Sequence, residues 1–178
     1  MSRRDSYAPA PASADVKKDG ETWTLVLVRD FSHPPEKVWR ALTEPEHLRE
    51  WAPFDSDKSL GQVGAAKLST FGAPHVTDIQ VRRAETHKAL EYAWGGNDLR
   101  WELEPRGAGT RLTLWATIDR RYISMGAAGW QICLDVLDQH LAGDPIGRIA
   151  GPEAMKFAGW QRLNGEYAKK FGVELPKW

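Results

Sequence analysis

An excess of charge of either sign is missing from this sequence. Its 24 lysines and arginines balance 24 aspartates and glutamates, so the formal net charge is zero. A nucleic-acid binder normally carries a basic surplus or stripe, and no such surplus exists here. Cysteine is nearly absent as well. The single copy, Cys133, excludes an intramolecular disulfide and a cysteine-rich zinc site. It points to a reducing compartment, and so to a cytoplasmic protein. No apolar run approaches the ~18 residues that a membrane helix needs. The first twenty residues, MSRRDSYAPAPASADVKKDG, hold arginines but no apolar core, so they do not read as a secretory signal. Their Pro, Ala, Ser and Lys content predicts a flexible tail over residues 1–20.

Catalytic motifs are missing too. There is no H-E-x-x-H, G-x-S-x-G, P-loop or G-x-G-x-x-G. The histidines His33, His47, His75, His87 and His140 never fall three to five residues apart. The expectation is therefore no metal, no cofactor and no catalytic residue. Glu46 and Glu50 could share a helix face as a carboxylate pair. The plainer reading, a solvated face paired with a base, is favoured. Cys133 has no cationic neighbour in sequence, so it reads as a buried, inert thiol. His140 reads as a partly exposed histidine at the edge of a helical stripe.

What is present is tryptophan. There are nine, at positions 23, 39, 51, 94, 101, 115, 130, 160 and 178. Each buries roughly 150–250 Å². Such rings either fill a core or line a cavity, and their number alone favours the core. With 178 residues and 42% hydrophobic content, one domain with modest extensions is expected.

The periodicity changes along the chain. TWTLVLVRDF (22–31) alternates as a strand, and further strands are expected near 57–61, 64–71, 75–84, 88–94, 98–105 and 109–119. GGND (95–98) and RGAG (106–109) supply turns between them. Then Trp130, Leu134, Leu137 and Leu141 mark one stripe of a helix over 124–142. Ile132 and Val136 lie off it, so that helix needs cover on a second side. Phe157, Trp160, Leu163, Tyr167 and Phe171 form the stripe of a last helix, expected from Glu153 to Phe171. That helix could supply the cover or a dimer contact.

Between the first strand and the others lies HPPEKVWRALTEPEHLREWAPF (33–54). Proline is tolerated in a first helical turn, with Ser32 or His33 as cap. Pro45 pushes Glu44 out of helical geometry. Thr43 and Glu46 have capping-box spacing, which predicts a second helix from Glu44 to Trp51. The segment reads as a helix–kink–helix after the first strand.

The stretches LVLVRDF, HPPEKVWRALTEPEHLREWAPF, GAGTRLTLWATI and GWQICLDVLDQHL resemble the SRPBCC (START/Bet v 1-like) superfamily. Within it they are most similar to the activator of heat-shock-protein-90 ATPase homologue family. The resemblance implies an α+β helix-grip fold over residues 21–142. In it a curved antiparallel sheet of about six to seven strands wraps a long C-terminal helix. Residues 143–178 would be a helical extension packed on that domain. It also implies a pocket between sheet and helix, with the helix–kink–helix as its lid and Trp51 and Phe54 at its mouth. The candidate ligand-binding residues are Trp51, Phe54, Phe71, Trp94, Trp101 and Trp130, with His75, Cys133, Leu134 and Leu137. The expected function is non-catalytic binding of a small apolar or aromatic molecule. Two alternatives stand beside it. One is a co-chaperone or interaction module that binds a chaperone or self-associates. The other is a cyclase-like enzyme using His75, Asp78, Glu91 and His140.

Overall fold

A computed structural model describes residues 3–175 except Pro74. Trp178 lies outside the described residues. The chain runs β1 (Asp15–Asp19), β2 (Thr22–Phe31), α1 (Pro35–Thr43), α2 (Pro45–Trp51), β3 (Phe54–Ser56), β4 (Gly64–Thr70), β5 (Val76–Val81), β6 (Arg83–Glu85), β7 (Ala89–Trp94), β8 (Asn97–Arg106), β9 (Gly109–Thr117), α3 (Ile123–Leu141), α4 (Gly151–Ala154) and α5 (Ala158–Phe171). It is an α+β helix-grip fold.

The strands form two antiparallel sheets. One has the order β1-β2-β9-β8-β7-β6, the other β3-β4-β5. The amide of Arg82 donates to Glu91 O at 2.9 Å, so the two sheets meet beside β7. Register explains the alternation in the sequence. Leu25, Leu27, Leu99, Trp101, Leu103, Leu112, Leu114 and Ala116 point inward and are buried. Residues 57–61, expected as a strand, form bends and loop instead. The short strand lies earlier, at Phe54–Ser56, paired with Leu68–Thr70.

The kink at Pro45 is as expected. Glu44 takes an extended conformation (φ −82°, ψ 131°) and separates the two helices. The capping is different: neither helix has a side-chain cap. The Thr43 hydroxyl donates instead to Trp39 O at 2.8 Å, one turn back.

The largest departure is at the N-terminus. Residues expected as a flexible tail form β1 and a strap across α3 and α5. The carbonyls of Ala10 and Pro11 accept from Gln131 Nε2 at 3.0 and 3.2 Å. The amides of Ser13 and Ala14 donate to the Tyr167 hydroxyl at 3.1 and 2.9 Å. Tyr167 in turn donates to Gln131 Oε1. Tyr7 donates to Asp135, which also pairs with Arg29 at 2.7 Å. Distant side chains satisfy this backbone, so the segment is ordered in spite of its composition. A local reading sees only that the segment cannot build a core of its own.

The last helix is also interrupted. α4 ends at Ala154 and α5 starts at Ala158, with Phe157 as its N-cap residue. α5 lies against α3, where Trp160, Leu163, Tyr167 and Phe171 are buried. Ile132 and Val136 of α3 are buried as well.

Candidate functional site

Five of the aromatic residues picked out by sequence stand in a chain of ring contacts, which Tyr92 extends. Trp51 meets Trp101 edge-on (6.0 Å), Trp101 meets Trp130 (5.5 Å), and Trp130 meets Trp94 (6.1 Å). Trp94 tilts against Phe54 (5.1 Å), and Phe54 meets Tyr92 (6.1 Å). Each such pair contributes about 0.5–1.5 kcal/mol beyond its burial.

Trp94 and Trp130 of this set border open space. A pocket of about 450 Å³ lies beside Trp94, Trp130 and Cys133. Its floor is the N-terminal half of α3, at Met125, Gly126 and Gly129. Ile118 and Tyr122 close one side, and Ala150–Pro152, Met155 and Trp160 form the outer wall. The pocket therefore sits between the grip helix and the C-terminal extension. Among the described residues of the lid segment, Pro53 alone reaches it.

Two local features keep this space open. Gly129 carries no side chain, and a Cβ there would meet nothing within 4 Å. Gly151 starts the outer wall with φ +61°, and a Cβ would approach Phe71 O at 2.8 Å. A side chain at residue 151 would be strained and crowded, so the wall depends on glycine there.

The pocket is chemically quiet. None of its described lining residues is charged. Asn97 offers a half-buried amide. The Trp94 indole N–H is engaged by Thr70 Oγ1 at 3.3 Å. Burial pushes the Cys133 thiol up to about 12, with Arg148 acting the other way and Asp135 adding to the rise. At neutral pH it is a protonated, unreactive thiol.

The other expected site residues are placed differently. Trp51, Phe54, Leu134 and Leu137 are fully buried in the core, as is Trp101. Trp51 is fixed by its indole N–H to Ala41 O at 2.9 Å. The expectation that Trp51 and Phe54 sit at a cavity mouth is thus corrected: rings from β7, β8 and α3 occupy that space. Phe71 lies outside the pocket, half-buried under the Arg148 guanidinium at 4.5 Å. His75 is exposed at the turn before β5.

The polar set considered for cyclase chemistry is scattered. His75 and Asp78 are exposed, and Asp78 pairs with Lys67 at 2.8 Å. Glu91 pairs with Arg83 at 3.2 Å. His140 Nε2 lies 2.8 Å from His47 Nδ1, a contact between α3 and α2. None of the four lines the pocket. Among the described residues, no group of three or more His, Cys, Asp or Glu is placed to hold a metal. No helix among them is long and apolar enough to cross a membrane.

Sequence reasoning missed Asn97, Ile118, Tyr122, Met125 and Met155. One signal was available: SMGAAGW (124–130) puts small residues on α3 just before Trp130. Small residues beside large rings mark where a helix face is left unfilled.

Comparison with known proteins places this geometry. The family model described as "Activator of Hsp90 ATPase homolog 1-like protein" matches residues 32–142. No curated protein matches the chain significantly. Solved structures do. A conserved protein of unknown function from Enterococcus faecalis is 21% identical, with TM-score 0.69 over 90% of this chain and 92% of its own. The CalU16 protein of Micromonospora echinospora is 20% identical, with TM-score 0.63 over 88% and 94%. A protein from Mesorhizobium loti is 28% identical, with TM-score 0.59 over 69% of this chain and 99% of its own. The matched 32–142 stretch ends before the outer wall of the pocket. The chain belongs to the activator of Hsp90 ATPase homolog 1-like family of the SRPBCC superfamily.

Proposed function

We propose that this protein binds a small apolar or aromatic molecule without covalent chemistry, in the pocket between α3 and the C-terminal extension. One observation carries the reading: a pocket of about 450 Å³ is walled by Trp94, Trp130, Trp160, Met125 and Met155, with no charged residue in its described lining. Pockets of this size with few polar groups are the usual form of small-molecule sites. A ligand burying about 300 Å² of apolar surface gains about 7.5 kcal/mol at about 25 cal/mol per Å². That corresponds to a micromolar or weaker Kd once ordering costs are included.

The co-chaperone reading draws only on the family's description, and the cyclase reading has none of its four residues at the pocket. The test is a titration with N-phenyl-1-naphthylamine, a neutral aromatic fluorophore. The wild type is expected to bind it in the micromolar range. Gly129→Phe fills the space that glycine leaves and is expected to abolish binding while the helical circular dichroism is kept. Equal binding by both proteins, or no binding by the wild type, would count against the pocket.

A further inference from the structure

Tyr122 belongs to two cavities at once. On one side it walls the apolar pocket. On the other it walls a cleft of about 650 Å³ that is lined by Lys18, Trp23, Arg120 and Arg121. The ring is half exposed, at 50%. It is the shared partition between an uncharged space and a cationic one.

The cations in the cleft are held in place to different degrees. Lys18 sits over the Trp23 ring at 4.5 Å and donates to Phe171 O at 2.9 Å, so two of its ammonium protons stay free. Arg121 lies 5.5 Å from the Tyr122 ring and is paired with Asp119 at 3.0 Å. Arg120 is exposed and makes no hydrogen bond or ion pair among the described residues. Glu174 is a carboxylate in the same lining. Among the described residues, three cations against Asp119 and Glu174 leave the cleft positive in a chain whose net charge is zero. α3 begins at the next residue, Ile123, and adds the positive end of a 19-residue helix.

We infer that the ligand of this protein is amphipathic and acidic: an apolar or aromatic body fills the pocket, and an anionic group reaches past Tyr122 to Arg120, Arg121 and Lys18. The inference rests on the pocket being a ligand site. The chemistry is that of a carboxylate, sulfonate or phosphate on an aromatic or alkyl frame. The anion adds little to total affinity, because an exposed pair is screened. Its effect is selectivity between ligands that share one body.

Two probes with one frame separate the possibilities. 1-Anilinonaphthalene-8-sulfonate carries an anion, and N-phenyl-1-naphthylamine does not. The sulfonate is expected to bind about fivefold more tightly, and added salt should remove that advantage. Arg120→Ala with Arg121→Ala should erase the difference and leave the neutral probe unchanged. Lysine at both positions should restore it. Equal affinity of the two probes for the wild type, or a double variant that weakens both alike, overturns the inference and leaves the pocket intact. If neither probe binds, the pocket reading falls and this one falls with it. Where the sulfonate binds more tightly, alkyl carboxylates and alkyl phosphates as competitors distinguish the source of the anion.

Discussion

Two proline-led helical segments flank the grip helix, and they treat it in opposite ways. The lid, α1 and α2, closes its C-terminal half. Lys37 donates to Leu141 O at 2.7 Å, His47 meets His140, and Arg148 donates to Arg49 O at 2.8 Å from behind. Every large side chain turned inward there is buried: Val38, Trp39, Leu42, Leu48 and Trp51. The extension, residues 143–171, closes the N-terminal half. There it faces Gly126 and Gly129, and a pocket remains. The lesson is that a segment rich in aromatic residues braces the fold where its rings find partners. Space survives where the facing helix is small.

That contrast can be broken most forcefully in the lid. Trp51→Ala removes a fully buried ring that contacts Trp101 and bonds to Ala41 O. The expected cost is about 3–5 kcal/mol, read from the urea midpoint. A loss under 1 kcal/mol would mean that the lid is not the braced element described.

On the extension side the largest single handle is polar. Tyr167→Phe removes the hydroxyl that accepts from Ser13 and Ala14 and donates to Gln131. Leaving buried groups unpaired costs about 1–3 kcal/mol. Faster amide exchange at residues 12–14 should accompany it. Unchanged exchange would show that the strap is held elsewhere.

A smaller effect separates the two floor glycines. A Cβ at Gly129 has open space, so Gly129→Ala should stabilise the helix by roughly 0.5–1 kcal/mol. A Cβ at Gly126 would meet Ile118 Cδ1 at 2.6 Å, so Gly126→Ala should gain less or lose. Equal gains at both sites would mean that the pocket floor is not shaped as described.

The weakest expected effect is that of pH at the lid joint. Burial holds His140 below its ordinary value of 6.5, and the neighbouring His47 acts the same way, as Lys37 does to a lesser degree, against an opposing pull from Glu50. The folded state then takes up a proton less readily than the unfolded chain. This contribution to stability is full above about pH 6.5 and declines as pH falls below it. Replacing His140 with glutamine should flatten the slope of the urea midpoint against pH in that window. An unchanged slope would assign it to other groups.

The sequence made the frame readable and the site only partly so. Alternating leucines on β8 and β9, the stripe from Trp130 to Leu141, and Pro45 as a kink are local signals, and the structure follows them. The aromatic set was readable as rings sharing one interior. Whether Trp51 or Trp130 faces open space depends on what stands opposite. For Trp51 that is Trp101, fifty residues later in the chain. For the pocket it is the wall at Ala150–Pro152, placed by a glycine conformation. The strap escaped for the same reason: Gln131, Glu166 and Tyr167 satisfy its backbone from more than a hundred residues away.

On the proposed function, ligand enters beside the extension and not under the lid. Indole N–H signals in a ¹⁵N-labelled sample test it directly, because every tryptophan reports separately. On titration with N-phenyl-1-naphthylamine, the signals of Trp94, Trp130 and Trp160 should move, and those of Trp39 and Trp51 should stay. Movement of Trp39 and Trp51 with Trp160 unchanged would return the site to the lid.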